Sequence, residues 1–139
     1  MITIAAMGIL KTGAERELVE RYLKMSRYKV AEREFDQKKT RDPDGALLGA
    51  CPAGSFRIAL DSSGQLMDSA EFARLVAAHG DLAFLIGAAD GHGPRVRAEA
   101  DLRLSFGRMT MPHFLARAVL AEQLYRAHTI LTGHPYHRA

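Results

Sequence analysis

The C-terminal run Thr110–Ala139 contains a helix that is apolar nearly all round, and this limits the folds open to the chain more than any other feature. Pro112 is placed to enter the helix and Gly133, followed by Pro135, to end it, so the pattern predicts a helix over about His113 to Leu131. At about 100° per residue, Phe114, Ala118, Ala121 and Tyr125 form one apolar sector, Leu120, Leu124, Ala127 and Leu131 a second, and Val119 and Ile130 a third. A surface helix shows a single stripe. This one has to be covered on both sides, by its own sheet and by something else such as a second subunit. Set among the apolar sectors, Glu122 and Arg126 stand four apart with the acid first, the favourable order for a pair on one face. Beyond the helix, His134, Pro135, Tyr136, His137 and Arg138 show no packing pattern. They offer hydrogen-bond donors, a ring and a permanent charge, which suits contact with a ligand.

A chain of 139 residues is one domain, 1–139, long enough to bury a core around that helix. Its 47% hydrophobic and 25% charged residues are ordinary for a soluble protein, and no apolar run reaches membrane-spanning length. Met1-Ile-Thr-Ile reads as the start of a strand rather than a signal peptide, so a cytoplasmic address and no membrane partner are expected. Cys51, the single cysteine, has no Cys or His at metal spacing and reads as a small buried or loop residue ahead of a catalytic thiol. A net charge of +3 and a pI near 9.2 permit an acidic partner such as RNA without requiring one.

Upstream of the helix, strand and helix signals alternate. Ile2–Met7 is an apolar run, and Thr12 with Glu15 reads as a capping box for a helix to about Lys24. Val30–Phe35 carries charges at Glu32, Arg33 and Glu34, as a strand at the sheet edge does. Residues 36–54 are irregular, with room for a short helix at most. Phe56–Leu60 reads as a strand ending in a loop over Asp61–Gly64. Asp68 with Glu71 caps a helix to about His79, where Gly80 stops it. Leu82–Ile86 is a buried strand that breaks into a glycine-rich loop, Gly87–Gly93, before a helix begun by Pro94. Leu102–Phe106 is a last strand. This pattern predicts an α/β domain with a mainly parallel sheet of about five strands and flanking helices. Parallel sheets bind ligands at the carboxyl ends of their strands, which makes Asp61–Gly64, Gly87–Gly93 and Gly107–Pro112 the pocket candidates.

The spacing of Gly87–Gly93 is wrong for a dinucleotide fingerprint and lacks the Lys-Ser/Thr of a nucleoside triphosphate loop. Two readings remain open for it: a loop whose glycines let the backbone approach an adenosine or a methyl donor, and a strained turn. His113 is either an acid/base group or a capping residue. Glu122 with Arg126 is more often a structural than a catalytic pair. The histidines and carboxylates do not recur at metal spacing, so no metal site is expected.

Thr110-Met-Pro-His113, Ala121-Glu-Gln-Leu-Tyr-Arg126 and His134-Pro-Tyr-His-Arg138, with Leu60-Asp61, Leu85-Ile-Gly87 and Asp90-Gly91 upstream, closely resemble the bacterial RlmH family. These are the large-subunit ribosomal RNA pseudouridine N3-methyltransferases of the SPOUT class. The resemblance covers essentially the whole chain. It implies a homodimer with a C-terminal trefoil knot, using S-adenosyl-L-methionine to methylate the pseudouridine conventionally numbered 1915 in 23S rRNA of the assembled ribosome. Carried over by position, the donor contacts Leu60, Gly87, Ala88, Gly107, Arg108, Met109, Thr110, Met111 and Pro112. His113, Glu122, Arg126, Tyr136, His137 and Arg138 are the catalytic candidates. Lys11, Lys38, Lys39, Arg41, His134 and Arg138 are the RNA contacts. Ala88 stands where the family commonly has a second glycine, which would strain a loop needing positive φ. That departure supports one rival, a non-catalytic ribosome-binding module that kept the fold and lost the donor.

Overall fold

The computed structural model describes residues 1–138. Strands β1 (Ile2–Met7), β2 (Val30–Phe35), β3 (Phe56–Leu66), β4 (Leu82–Ile86) and β5 (Leu102–Ser105) alternate with helices α1 (Ala14–Ser26), α2 (Pro43–Ala50), α3 (Ser69–Ala78), α4 (Pro94–Glu99) and α5 (His113–Thr132). The strands form one sheet in the order β2-β1-β4-β3-β5, and every pair in it is parallel. Such a sheet has to be covered on both faces, which is why the central β1 and β4 are buried at every residue and read as unbroken apolar runs.

The two faces follow the two-residue period of a strand. Ile2, Ile4, Ala6, Ile58, Phe84 and Ile86 meet Phe72 and Val76 of α3 and Leu120, Leu124 and Ala127 of α5. On the other face Ala5, Met7, Ala59, Ala83 and Leu85 meet Leu47 and Leu48 of α2 and Val96 of α4. A third cluster joins α1 to α5 through Leu10, Val19, Ala118 and Ala121. Helix α5 therefore lies against the sheet between α1 and α3. The further cover expected for it, with a second subunit as one candidate, includes α1 and α3 of its own chain. Its first apolar sector packs on α1, its second, Leu131 apart, is buried against the sheet and α3, and Ile130 joins that core half-buried. Of its large apolar residues, Leu115 and Leu131 are exposed.

Further local expectations change. Thr12 does not cap α1; the N-cap is Gly13 at φ 101°, with no side-chain hydrogen bond. The Asp68–Glu71 capping box is present on α3. Asp61–Gly64 is not a strand-end loop but a bulge within β3: Leu60 and Gln65 both pair with Leu104, and the residues between are looped out. Here Gly64 is required, because a Cβ on it would stand 2.6 Å from the Arg103 backbone. β2 is an edge strand as expected, yet Glu32 and Glu34 are not simply solvated. They form ion pairs with Arg16 of α1 and Arg117 of α5, and Arg117 is only 2% exposed.

Candidate functional site

Three chain segments meet at the β3 bulge and the carboxyl ends of β4 and β5 and line a cavity of about 310 Å³. Leu60, Asp61 and Ser62 form one wall, the Gly87–His92 loop a second, and residues 106–111 a third, with His113 and Ala116 from the start of α5. Seven of the nine predicted donor contacts line it: Leu60, Gly87, Ala88, Gly107, Met109, Thr110 and Met111. Arg108 and Pro112 are their exposed neighbours in the chain.

The loops are held by the chain itself. A Cβ on Gly87 would lie 3.0 Å from the backbone of Gly91 and 3.2 Å from His92 Nδ1, so the close approach of the turn to itself favours glycine there. That turn is sealed by a 2.9 Å bond from Gly91 N to Ala88 O. Ala88 does not have positive φ; among the described non-glycine residues only Arg27 does. The methyl group is thus accommodated without backbone strain, which removes the support for the non-catalytic rival. At the far end of the loop the buried Asp44 accepts from the backbone N–H groups of Gly93, Arg95 and Val96 at 3.0–3.1 Å and pins the start of α4. His92, also buried, bonds Leu85 O through Nε2 at 3.0 Å. Its Nδ1 has no partner, and burial pushes its pKa down. Sequence reasoning missed Asp44 and His92. Asp44 sits in an Asp-Pro-Asp-Gly run that looks like an ordinary turn, and His92 is a lone histidine among glycines. On the third wall, Gly107 has φ 133°, and Ser105 Oγ accepts from its N–H at 3.0 Å.

His113 lines the cavity from the first turn of α5 and packs on the end of β1: a Cβ on Gly8 would lie 3.0 Å from its Nε2. Burial and the nearby Arg117 both lower its pKa, so the imidazole is neutral at pH 7. Arg117 Nη1 donates to Gly8 O at 3.3 Å and its Nη2 bonds Glu32 at 3.1 Å and also Glu34. Arg16 bonds the same two carboxylates at 2.9 and 3.2 Å. This network fixes the floor beneath His113. No spacing rule flags it, since its members are distant in sequence.

Glu122, Arg126, Tyr136 and His137 form a separate cluster, with Arg138 exposed beside it in the chain. Glu122 Oε2 accepts from Arg126 Nη2 at 2.8 Å and from the Tyr136 hydroxyl at 3.0 Å, and its Oε1 accepts from Arg126 Nε at 3.2 Å. Arg126 Nη1 donates to His137 Nδ1 at 3.1 Å, which puts the proton of a neutral His137 on Nε2. The Arg126 guanidinium also lies 4.8 Å from the Tyr136 ring centroid. The tail is therefore anchored on its own α5, although its sequence shows no packing pattern. Burial, with hydrogen bonds to Glu122 and Tyr22, pushes the Tyr136 phenol far up, so it stays protonated. From the helical rise, Glu122 lies about 14 Å and Arg126 about 20 Å further along α5 than His113. Lys11, Lys38, Lys39, Arg41, His134 and Arg138 are exposed and, among the described residues, free of ion pairs. Ala139 lies outside the described residues.

A family described as "Predicted SPOUT methyltransferase" matches residues 1–137. The chain is 46% identical to the ribosomal RNA large subunit methyltransferase H of Paramagnetospirillum magneticum, over 99% of this chain and 98% of that one. The protein of the same name from Sphingopyxis alaskensis is also 46% identical, over 99% and 96%. The chain belongs to the RlmH family of SPOUT methyltransferases. Among solved structures, a probable methylase family protein from Haemophilus influenzae superposes on this SPOUT chain with a TM-score of 0.64. At 14% identity, with 99% of this chain and 70% of that one covered, the likeness concerns the fold. The RlmH-like tail and the cavity thus sit on one α/β frame, at opposite parts of α5.

Proposed function

We propose that the chain methylates ribosomal RNA of the large subunit, transferring the methyl group of S-adenosyl-L-methionine to N3 of a pseudouridine, as a homodimer acting on the assembled ribosome in the cytoplasm. The observation that carries this reading is the full-length likeness to relatives named for large-subunit rRNA methylation, joined to a cavity at the strand ends. The cavity suits the donor: Leu60, Ile86, Leu104 and Phe106 offer apolar walls for a base, and the Gly87 and Gly107 turns bring main-chain groups close. When bound, S-adenosylmethionine supplies an already activated methyl on a sulfonium.

The protein is then left with alignment and with charge. N3 has to lose its proton, and the resulting uracil anion needs donors aimed at it. Arg126, the Nε2–H of His137 and Arg138 provide them, while Glu122 and Tyr136 hold Arg126 in place. Because that cluster stands well along α5 from the cavity of its own chain, the reading requires the tail of one protomer to serve the cavity of its partner. The trefoil knot belongs to the same proposal. Lys11, Lys38, Lys39, Arg41, His134 and Arg138 follow the RNA backbone, whose phosphates reward exposed cations.

Calorimetry with S-adenosylmethionine, then tritium transfer to ribosomes lacking this modification, tests the activity. Absence of both signals refutes it. The shared site is tested by mixing a donor-cavity variant with a chain lacking residues 134–139, each inactive alone. Restored transfer supports a site built from both protomers, and none overturns it.

A further inference from the structure

The β3 bulge does more than shape the cavity wall. It turns Asp61 inward, leaving its side chain 7% exposed. One oxygen, Oδ1, accepts from Ser63 N at 3.0 Å and Ser63 Oγ at 2.8 Å. The other, Oδ2, is buried without any hydrogen bond; its nearest cations are Arg97 Nε of α4 and Arg103 Nη1 of β5, both at 3.6 Å. Burial resists ionisation of Asp61, but the Ser63 bonds and the two guanidinium groups outweigh it and hold its pKa below the usual value. One carboxylate thus faces two permanent cations, and the group carries net positive charge. Arg97 and Arg103 are about half exposed and, among the described residues, neither side chain makes a hydrogen bond, so their planar sets of N–H donors are unspent. Arg97 also lines both the donor cavity and an adjoining one of about 290 Å³, whose wall Arg103 shares.

We propose that Arg97 and Arg103, gathered round the buried carboxylate of Asp61, form an oxyanion-binding subsite at the boundary of the donor cavity. Planar guanidinium groups match carboxylate and phosphate geometry, and two of them held by one anion are preorganised for a second. Two sources offer that chemistry here: the α-carboxylate of the donor and a phosphate of the RNA. Asp61 acts as a positioning residue, and its bulge is the device that re-aims it. This inference rests on the donor-cavity reading above.

The test uses the full-length protein with Arg97→Gln and Arg103→Gln, both at half-exposed positions. Affinity is measured by calorimetry for S-adenosylmethionine and for its decarboxylated form, and by sedimentation with ribosomes over a range of salt. If the oxyanion is the donor's, each variant loses about tenfold in affinity for S-adenosylmethionine and nothing for the decarboxylated form. If it is the RNA's, donor affinity holds while ribosome binding weakens about tenfold and its salt dependence flattens. Unchanged affinity for both ligands overturns the subsite. A wild-type protein that binds neither ligand refutes the proposed function instead. Asp61→Asn keeps an acceptor for Ser63 yet adds one positive charge, so simple attraction predicts tighter binding and loss of positioning predicts weaker. Weaker binding is expected; tighter binding overturns the role of Asp61.

Discussion

Arg117→Met removes the charge from the centre of the network beneath His113 while keeping much of the side-chain volume. Removing one partner of a buried ion pair costs about 3–5 kcal/mol, because the other charge is left behind. Here Glu32 and Glu34 keep Arg16 and are themselves 25% and 21% exposed, so the cost falls to or below the bottom of that range, about 2–3 kcal/mol. For 139 residues the unfolding entropy is about 0.3 kcal/mol per kelvin, and the midpoint should fall by roughly 7–10 °C. Urea and thermal unfolding at one fixed protein concentration measure it, since association would otherwise shift the midpoint. The sign with pH is also set. Although burial resists it, the bond from Leu10 N and the two arginines lower the pKa of Glu34, so its contribution is present above its ordinary value of 4.5 and lost as pH falls through the lower folded value. The gap between wild type and variant should therefore narrow in acid. Arg117→Met with Glu34→Gln restores neutrality with Arg16 and Glu32 and should recover part of the loss. A single-variant cost under about 1 kcal/mol at pH 7, or a gap that widens in acid, would refute the reasoning.

Gly107→Ala places a side chain at φ 133°, so donor affinity should fall at least about tenfold by calorimetry, with a lowered melting midpoint. Ala88→Gly, at a position without positive φ, should leave that affinity within about twofold. Tyr136→Phe removes one hydrogen bond to Glu122 at a partly exposed site, which should cost methyl transfer about threefold to tenfold and donor binding nothing. Deleting residues 134–139 should abolish transfer and leave calorimetric donor binding intact, because none of the described residues of that tail lines the cavity.

The fold was legible where one period dominates. Leu82–Ile86 and Ile2–Met7 read as buried strands because both faces of a parallel sheet are covered, and the Asp68–Glu71 box and Pro112/Gly133 pair marked helix ends by local chemistry alone. What failed was long-range. The cover of α5 by α1 and α3 depends on a tertiary arrangement that the pattern of one helix does not encode, and a neighbouring helix leaves the same signature as a partner subunit. Arg117 was passed over for the same reason: an arginine between apolar residues looks like a surface residue until Glu32 and Glu34 arrive from β2. The Asp61 bulge hid behind Asp-Ser-Ser-Gly, a sequence equally at home in a turn. The cavity walls were found from the resemblance and from strand ends together, whereas Asp44 and His92, which hold the loop, carry no spacing signal.

The character of the α5–tail cluster bears on how the reaction proposed above divides its work. Each oxygen of Glu122 already accepts hydrogen bonds, and those bonds include the phenol of Tyr136. The phenol is held protonated, Arg126 is made still harder to deprotonate by Glu122, and the Nδ1 lone pair of His137 is occupied by Arg126. The Glu122 oxygens and the Nδ1 lone pair of His137 are thus occupied by hydrogen bonds, while Arg126 and His137 keep N–H donors to spare and the exposed Arg138 adds a charge. A group built this way lowers the energy of an anion instead of creating one by abstraction. Such stabilisation favours loss of the N3 proton before or during transfer, with no dedicated base in the tail. His113, neutral, at the cavity and without a protein hydrogen bond among the described residues, is the candidate outside that cluster with a free ring nitrogen to take the proton.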